Sequence, residues 1–334
     1  MIELATIARQ IERTGYLRRS TPRFAAAAQH REWLHFCIKA GDLDLIVNVS
    51  AVEAAEGERV RWTVLACDGA DWDGDVEEVD AELVGGHLFA SFARGVVSFR
   101  DGVFRLVGCL RDRPIAFDLT ITPRSFPSLA SNISLGGSEA INWFVVPYAT
   151  ADGWIEVAGK RRVLAVAPAY HDHNWGGFTH RNFTWQWAHA SSADASVVLA
   201  RLLDRVQSTA YVQSLLVWSG PRQHRVFRGA ELEVRPEGWL RPARCLTVPR
   251  AASLLADGAT EVPAVLHVAA RGDGDELAGM IVTRSVARIA VPDDTGLGFT
   301  FIHEVVADLE LAGHIRGEPF ALASPAVCEL LRTT

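Results

Sequence analysis

The chain of 334 residues is longer than most single hydrophobic cores, so its length predicts two domains that each bury a core. Its composition is that of a globular protein, with 49% hydrophobic and 22% charged residues. A net charge of −7 and a pI near 5.9 offer no basic surface to nucleic acid, which is therefore not an expected partner.

The first predicted element is a short amphipathic helix at the N-terminus. Its apolar residues fall near one helical face: Ile2, Ala5, Ile7, Ala8 and Ile11. The segment lacks the early basic residues and the apolar centre of an export signal, and no stretch approaches ~18 uninterrupted apolar residues. The five cysteines are scattered without CxxC spacing, which suits reduced thiols. We therefore expect a cytoplasmic protein without an integral membrane segment.

Beyond residue 30 the sequence consists of short apolar or alternating runs closed by Gly, Asp and Asn, a pattern typical of β-strands. The predicted strands are 33–38, 43–49, 61–66, 87–92, 95–99, 103–110, 115–121 and 142–148, then 184–190, 195–203, 211–218, 226–234, 262–269, 281–290, 299–307 and 309–315. The breaks at 100–102 and 111–113 are short enough for hairpins, so we expect an antiparallel meander that closes into a barrel. Residues 249–255 and the two chain ends are the segments expected to be helical.

A weak internal repeat divides the predicted strands into two sets. Trp33-Leu34-His35-Phe36 has a counterpart in Trp185-Gln186-Trp187-Ala188, at an offset of 185 − 33 = 152 residues. A barrel of about eight to ten strands takes about that many residues. We therefore expect an all-β fold of two tandem antiparallel β-barrels, 1–178 with the N-terminal helix and 179–334.

The densest group of reactive side chains is the run Tyr170-His171-Asp172-His173-Asn174-Trp175-Gly176, called here the polar run. Side chains alternate along a strand, so the two histidines would face one way and Tyr170, Asp172 and Asn174 the other. The run ends just before the second predicted barrel, where we expect a cleft and a ligand site. The alternative is a buried polar belt in which neighbouring groups satisfy one another.

Several runs together resemble the hydroxyneurosporene synthase family. They are Glu-Ala-Ile-Asn-Trp-Phe-Val-Val-Pro at 139–147, Gly-Trp-Ile-Glu-Val at 153–157, the polar run, the aromatic runs 31–36 and 183–187, and the tail 306–319. The most specific part is the Tyr-x-Asp-x-Asn-Trp-Gly core, and the resemblance covers most of the chain. The family includes carotenoid 1,2-hydratases, AttH-domain proteins and fungal decalin-forming Diels–Alderases. The resemblance implies two lipocalin-like barrels with few short helices and a cofactor-free site at or near their junction, but it does not define the reaction.

Water addition to an isolated alkene needs a strong proton donor beside an apolar pocket, stabilisation of a cation, and a positioned water molecule. We expect Asp172 to be the acid, with Tyr170, His171 and His173 as relay or orienting groups. The indoles that could face the cation are Trp154, Trp175, Trp185 and Trp187, and the amides that could hold water or substrate are Asn142 and Asn174. The expected substrate is a hydrophobic polyene, terpenoid or polyketide.

Two other functions could use the same residues. A pericyclase would fold a polyene and need one hydrogen-bond donor, which His171, Tyr170 or Asn174 could supply. A carrier would hold a hydrophobic molecule in a barrel without transforming it. The polar run favours an enzyme, because a carrier gains little from an aspartate between two histidines.

No cofactor is expected. His171 and His173 have the spacing of two metal ligands, and His180 or His189 could complete three, but a two-histidine match is unspecific. The acidic run 71–75 mimics part of a calcium loop without its glycine, so a solvated hairpin tip is expected there. The sequence contains no GxSxG, phosphate-loop or dinucleotide motif in a suitable context, and nothing in it indicates an oligomeric state.

Overall fold

The structure is a computed structural model that describes residues 2–18, 30–54, 57–179, 183–241, 245–254, 261–292 and 299–333. The chain divides into two compact units. The N-terminal unit comprises Met1–Gly69 and Asp73–Thr179, and the C-terminal unit comprises Ala70–Trp72 and His180–Thr334. The all-β prediction is confirmed, since strands make up most of the described residues and Ile2–Thr14 is the one α-helix among them.

Helix α1 (Ile2–Thr14) has the predicted apolar face. Ile7 and Ile11 are each 1% exposed and belong to the core of the N-terminal unit. The helix ends at Gly15, whose N–H donates to the carbonyl of Ile11 (2.7 Å). No helix among the described residues is long and apolar enough to cross a membrane.

The N-terminal unit is built on one antiparallel sheet of twelve strands. Its strands are β1 (His30–Ala40), β2 (Leu43–Ala54), β3 (Gly57–Asp68), β4 (Asp71–Val79), β5 (Ala81–Leu83), β6 (Phe89–Phe92), β7 (Gly95–Arg100), β8 (Val103–Cys109), β9 (Ile115–Pro123), β10 (Ser128–Gly136), β11 (Glu139–Val157) and β12 (Lys160–Gly177). The order is β4-β3-β2-β1-β12-β11-β9-β8-β7-β6-β5, with β10 paired to β11. The end strands β4 and β5 are separated by Asp80 alone, so the sheet is a nearly closed barrel.

The C-terminal unit is built on a second sheet of ten strands. Its strands are β13 (Thr184–Ser191), β14 (Ala195–Leu203), β15 (Ala210–Ser219), β16 (Arg222–Arg228), β17 (Leu232–Leu240), β18 (Leu246–Val248), β19 (Val262–Gly272), β20 (Asp275–Pro292), β21 (Phe299–Ile315) and β22 (Glu318–Thr333). The order is β16-β15-β14-β13-β22-β21-β20-β19-β17, and the short β18 pairs parallel to β20. A short 3-10 helix at Gly229–Glu231 connects the two end strands, and another spans Arg250–Leu254.

In each sheet, the first strand pairs both with the strand that follows it and with the last strand of the unit. In the N-terminal unit β1 pairs with the next strand, β2, and with the last, β12. In the C-terminal unit β13 pairs likewise with β14 and β22. The repeated sequence motif lies on these two equivalent strands, because Trp33 is on β1 and Trp185 on β13.

Four local predictions were wrong. The predicted strand 226–234 is interrupted at Gly229, which has a φ of 55° and begins the short 3-10 helix Gly229–Glu231. The runs 299–307 and 309–315 form the single strand β21, and the acidic run 71–75 begins β4 instead of forming a hairpin tip. The C-terminus is strand β22 and not a helix, because it hydrogen-bonds to both β21 and β13 and these pairings outweigh helix propensity.

Candidate active site

The polar run lies on β12, between β1 and β11. Asp172 is paired with His35 on one side and with Val145 on the other. The run ends in a glycine, Gly176, at a close contact between strands. A Cβ at this position would lie 2.1 Å from the carbonyl oxygen of Ala140 on β11. Any larger residue would push β11 and β12 apart, so the close approach of these strands needs glycine.

Strand alternation separates the run into two faces, as predicted. His171, His173 and Trp175 share a face with the core residues Phe36 and Phe144. Tyr170, Asp172 and Asn174 lie on the opposite face, called here the outer face of this sheet. The structure therefore does not place the histidines beside Asp172.

Asp172 is the centre of a hydrogen-bond network on the outer face. Its Oδ2 accepts from the Tyr170 hydroxyl (2.8 Å) and, at longer range, from Trp143 Nε1 (3.4 Å). Its Oδ1 accepts from Asn174 Nδ2 (2.9 Å). Tyr170 is fully buried and Asp172 is 5% exposed. Three neutral donors thus converge on a buried carboxyl and satisfy its oxygens, as a buried polar group requires.

His35 and Cys37 extend the outer face on β1. His35 Nε2 lies 3.1 Å from Cys37 Sγ. Burial lowers the pKa of His35 to about 4, so its imidazole is neutral at physiological pH. The proton-exchanging groups on this face of β12 and β1 are therefore a carboxyl, a phenol, a thiol and a neutral imidazole.

His171 lies inside the core and is also neutral. Its ring stacks on Phe36 at 4.3 Å and lies 4.5 Å from Phe104. Its Nδ1 donates to the carbonyl oxygen of His35 (3.0 Å), and its Nε2 has no hydrogen-bond partner among the described residues. Burial, the nearby His173 and His35 hold the pKa of His171 well below its usual range, although the bond to His35 opposes them.

A buried ion pair occupies the same core face. His173 Nε2 lies 2.7 Å from Oε1 of Glu32, and the Arg18 backbone N–H donates to that same oxygen (2.7 Å). Burial alone would raise the pKa of Glu32, but the bonds from His173 and His30 and the charge of His173 lower it to about 2. The pair joins β1 to β12 inside the core. Glu32 is not among the residues predicted from the sequence.

The C-terminal unit carries a carboxyl at the equivalent position. Glu329 on β22 is paired with Trp187 on β13, and Trp187 is the repeat counterpart of His35, since 187 − 35 = 152. Asp172 and Glu329 therefore occupy matching places in the two sheets. Glu329 is also paired with Glu304 on β21, which is 2% exposed.

Glu329 and Glu304 form a carboxyl pair, and Trp185 Nε1 donates to Glu329. Burial raises the pKa of Glu329 to about 6, although the bonds from Glu304 and Trp185 lower it. Of these two carboxyls, Glu329 thus keeps its proton up to about pH 6 instead of losing it near pH 4.5. Neither residue was predicted from the sequence. The repeat offset leads from Asp172 to Ser324, since 172 + 152 = 324, so Glu329 is matched to Asp172 by strand pairing alone.

Two of the residues predicted to bind substrate, Trp154 and Asn142, lie in different parts of β11. Trp154 is paired with Val163, nine residues along β11 from Val145 and thus about 30 Å from the Asp172 position, so the structure does not bring it to the network. Asn142 bridges three strands, because it donates to the Trp175 carbonyl and accepts from the Asn132 N–H.

Trp175 lies on the core face, 4.7 Å from the His173 ring. In the C-terminal unit the Trp187 ring stacks on that of His189 at 6.3 Å. His180, the other proposed third metal ligand, lies outside the described residues.

Solved structures of other proteins share this fold. A protein from Nitrosomonas europaea that is provisionally named AttH matches with a TM-score of 0.65 at 14% identity, covering 94% of this chain and 96% of that one. Kievitone hydratase from Nectria haematococca matches with a TM-score of 0.62 at 12% identity, covering 91% of this chain and 89% of that one. No protein-family model and no curated protein matches the sequence. The chain thus has the fold of AttH-like, lipocalin-like proteins, and the resemblance read from its sequence is confirmed at the level of fold.

Proposed function

We propose that this protein is a hydratase-like enzyme that adds water to, or removes it from, a small hydrophobic molecule by acid–base chemistry without a cofactor. The fold shared with kievitone hydratase supports this class of reaction. The observation that carries the proposal is the buried Asp172 network on the outer face, because a carboxyl with three converging donors exceeds what strand packing needs.

Asp172 is assigned the proton transfer. In its acid form it gives a proton to one alkene carbon, and the other carbon becomes cationic. Tyr170, Asn174 and Trp143 donate to the carboxylate that is left behind and so stabilise it once the proton has been transferred. Water then adds to the cation and returns one proton to Asp172. The balance is one water molecule added across the double bond, with the enzyme restored.

Glu329 is a second candidate acid, favoured by its raised pKa of about 6. With this pKa a fraction of Glu329 is still protonated at neutral pH and can protonate an alkene, as general acids in dry sites do. Its strand pairing also supports the assignment, because Glu329 pairs with Trp187 as Asp172 pairs with His35.

The proposal is tested by direct detection of water addition. Purified protein is incubated in heavy-oxygen water with candidate substrates. One is kievitone, the compound in the name of the Nectria haematococca enzyme, and the others are acyclic carotenoids and other prenylated or polyene compounds. Mass spectrometry should find a product heavier by one labelled water molecule, absent from heat-treated protein. Cyclised products of unchanged mass would instead establish a pericyclase, and bound but unchanged compounds a carrier.

A further inference from the structure

An open cavity of about 420 Å³ lies in the C-terminal unit, in the size range of small-molecule sites. Its lining includes Gln186, Arg201 and Arg205 together with the apolar Val234, Pro236 and Trp239. None of the described lining residues is acidic, although the chain as a whole has a net charge of −7. The described lining of the cavity therefore carries positive charge, although the protein as a whole is negatively charged.

The cavity lies where the core-facing side chains of three adjacent strands change from apolar to polar. On β14 the core residues Val197 and Leu199 are followed on the same face by Arg201. On β13 Ala190 and Ala188 are likewise followed by Gln186, and on β15 Gln213 follows Val217 and Leu215. Gln186, Arg201 and Gln213 are directly opposite one another across the three strands.

Arg201 is held in place before any ligand arrives. Its Nη1 donates to Gln186 Oε1 (2.6 Å) and its Nε donates to Gln213 Oε1 (3.1 Å). Gln213 is itself anchored, because its Nε2 donates to the carbonyls of Gly229 (2.8 Å) and Leu232 (2.7 Å). A guanidinium oriented in this way loses little freedom when it binds an anion.

The charge of Arg201 is not balanced by a carboxylate among the described residues. Its acceptors are two neutral amides, and burial lowers its pKa. Arg225 in the same unit shows the contrast, since it pairs with the carboxylates of Glu231, Asp273 and Asp275. A half-buried guanidinium without a counter-charge gains most from a bound anion.

We propose that this cavity binds a small organic anion, a carboxylate carried on an apolar body. The carboxylate would bind Arg201, with Arg205 at the rim. The apolar body would cover Val234, Pro236 and Trp239, whose indole is 52% exposed. The described lining of this cavity does not include Asp172 or its hydrogen-bond donors. The proposal therefore does not depend on the proposed hydratase activity.

Calorimetric titration of the full-length protein with octanoate and with its uncharged counterpart octanamide tests the proposal. Octanoate should bind about tenfold tighter or better, because its carboxylate makes charge-assisted bonds that the amide cannot. Arg201→Gln should abolish this preference and leave octanamide binding unchanged. Arg235→Gln is the matched control: it removes the same charge from the same strand as Val234 and Pro236, on the opposite face, and should bind like wild type.

Equal binding of the two probes, or full octanoate affinity in Arg201→Gln, would overturn the proposal. If thermal melting shows that Arg201→Gln is unfolded, Arg205→Gln and Trp239→Ala replace it, since both side chains are exposed. Arg205→Gln should weaken octanoate alone, and Trp239→Ala should weaken both probes. Unchanged affinities in these two variants would contradict the proposal equally.

Discussion

Two carboxyl groups beside β12 have different hydrogen-bond donors on the two faces of the sheet. Asp172, on the outer face, accepts from a phenol, an amide and an indole, all of them neutral. Glu32, on the core face, is bonded to His173 and to the Arg18 backbone N–H. The bonds from His173 and His30 lower the pKa of Glu32 to about 2, so this carboxyl supplies no proton at neutral pH. The outer-face carboxyl thus suits catalysis, and the core-face carboxyl suits structure.

Glu32→Gln should lower the free energy of unfolding at pH 7 by about 3 kcal/mol. This is the free energy that corresponds to the shift of the Glu32 pKa from 4.5 in the unfolded chain to about 2 in the folded protein. Because the folded-state pKa is the lower one, this stability is present above pH 4.5 and is lost as the pH falls towards 2. By about pH 3 the difference between wild type and variant should be less than half its neutral value.

Urea unfolding of both proteins at several pH values measures this difference. Glu53→Gln is the control, since Glu53 is exposed on the adjacent strand β2 and should change stability by less than about 0.5 kcal/mol. A Glu32→Gln variant as stable as this control at neutral pH would show that the His173–Glu32 pair stabilises nothing.

The raised pKa of Glu329 predicts a pH-dependent rate. If its protonated form delivers the proton, kcat/KM should fall as the pH rises through about 6, and Glu329→Gln should remove that limb and lose about 10²-fold in rate. Glu318→Gln, an exposed change on the same strand, should retain the wild-type profile. An unchanged pH profile in Glu329→Gln would exclude Glu329 as the acid.

The element that positions the candidate site is β12, and its tightest contact is with β11. Gly176→Ala would bring a Cβ within 2.1 Å of the Ala140 carbonyl oxygen and 3.0 Å of the Ile141 Cα. No side-chain change on β11 can relieve this, because both atoms belong to the backbone. The variant should be destabilised by about 1–3 kcal/mol or more, measured as a lower urea midpoint. A midpoint equal to that of wild type would show that β11 moves away at no cost.

At the scale of the whole molecule, the sequence predicted the antiparallel β-architecture better than it predicted the C-terminal end of the chain. Alternation identifies strands such as β9, whose buried and partly buried residues alternate along its whole length. It failed at β22, because a run rich in Ala and Leu has helix propensity and becomes a strand only through pairing with β21 and β13.

The candidate site was predicted only in part for a similar reason. The polar run stands out because histidine, aspartate and tyrosine are clustered within it. Glu32 and Glu329 are acidic residues that the sequence alone would place at exposed positions, as is usual for glutamate. Their burial depends on partners distant in the chain, such as His173, which is 141 residues from Glu32.

The most direct test of the central claim is the turnover of Asp172→Asn in the labelled-water assay. Asparagine keeps the shape and removes the ionisable proton, so a proton-transferring Asp172 predicts a loss of about 10²–10⁴-fold in kcat with folding and ligand binding retained. Tyr170→Phe, which removes one donor to Asp172, should lose less. A folded Asp172→Asn variant that adds water at the wild-type rate would contradict the claim, and an unfolded one would make Asp172 a structural partner in a buried network.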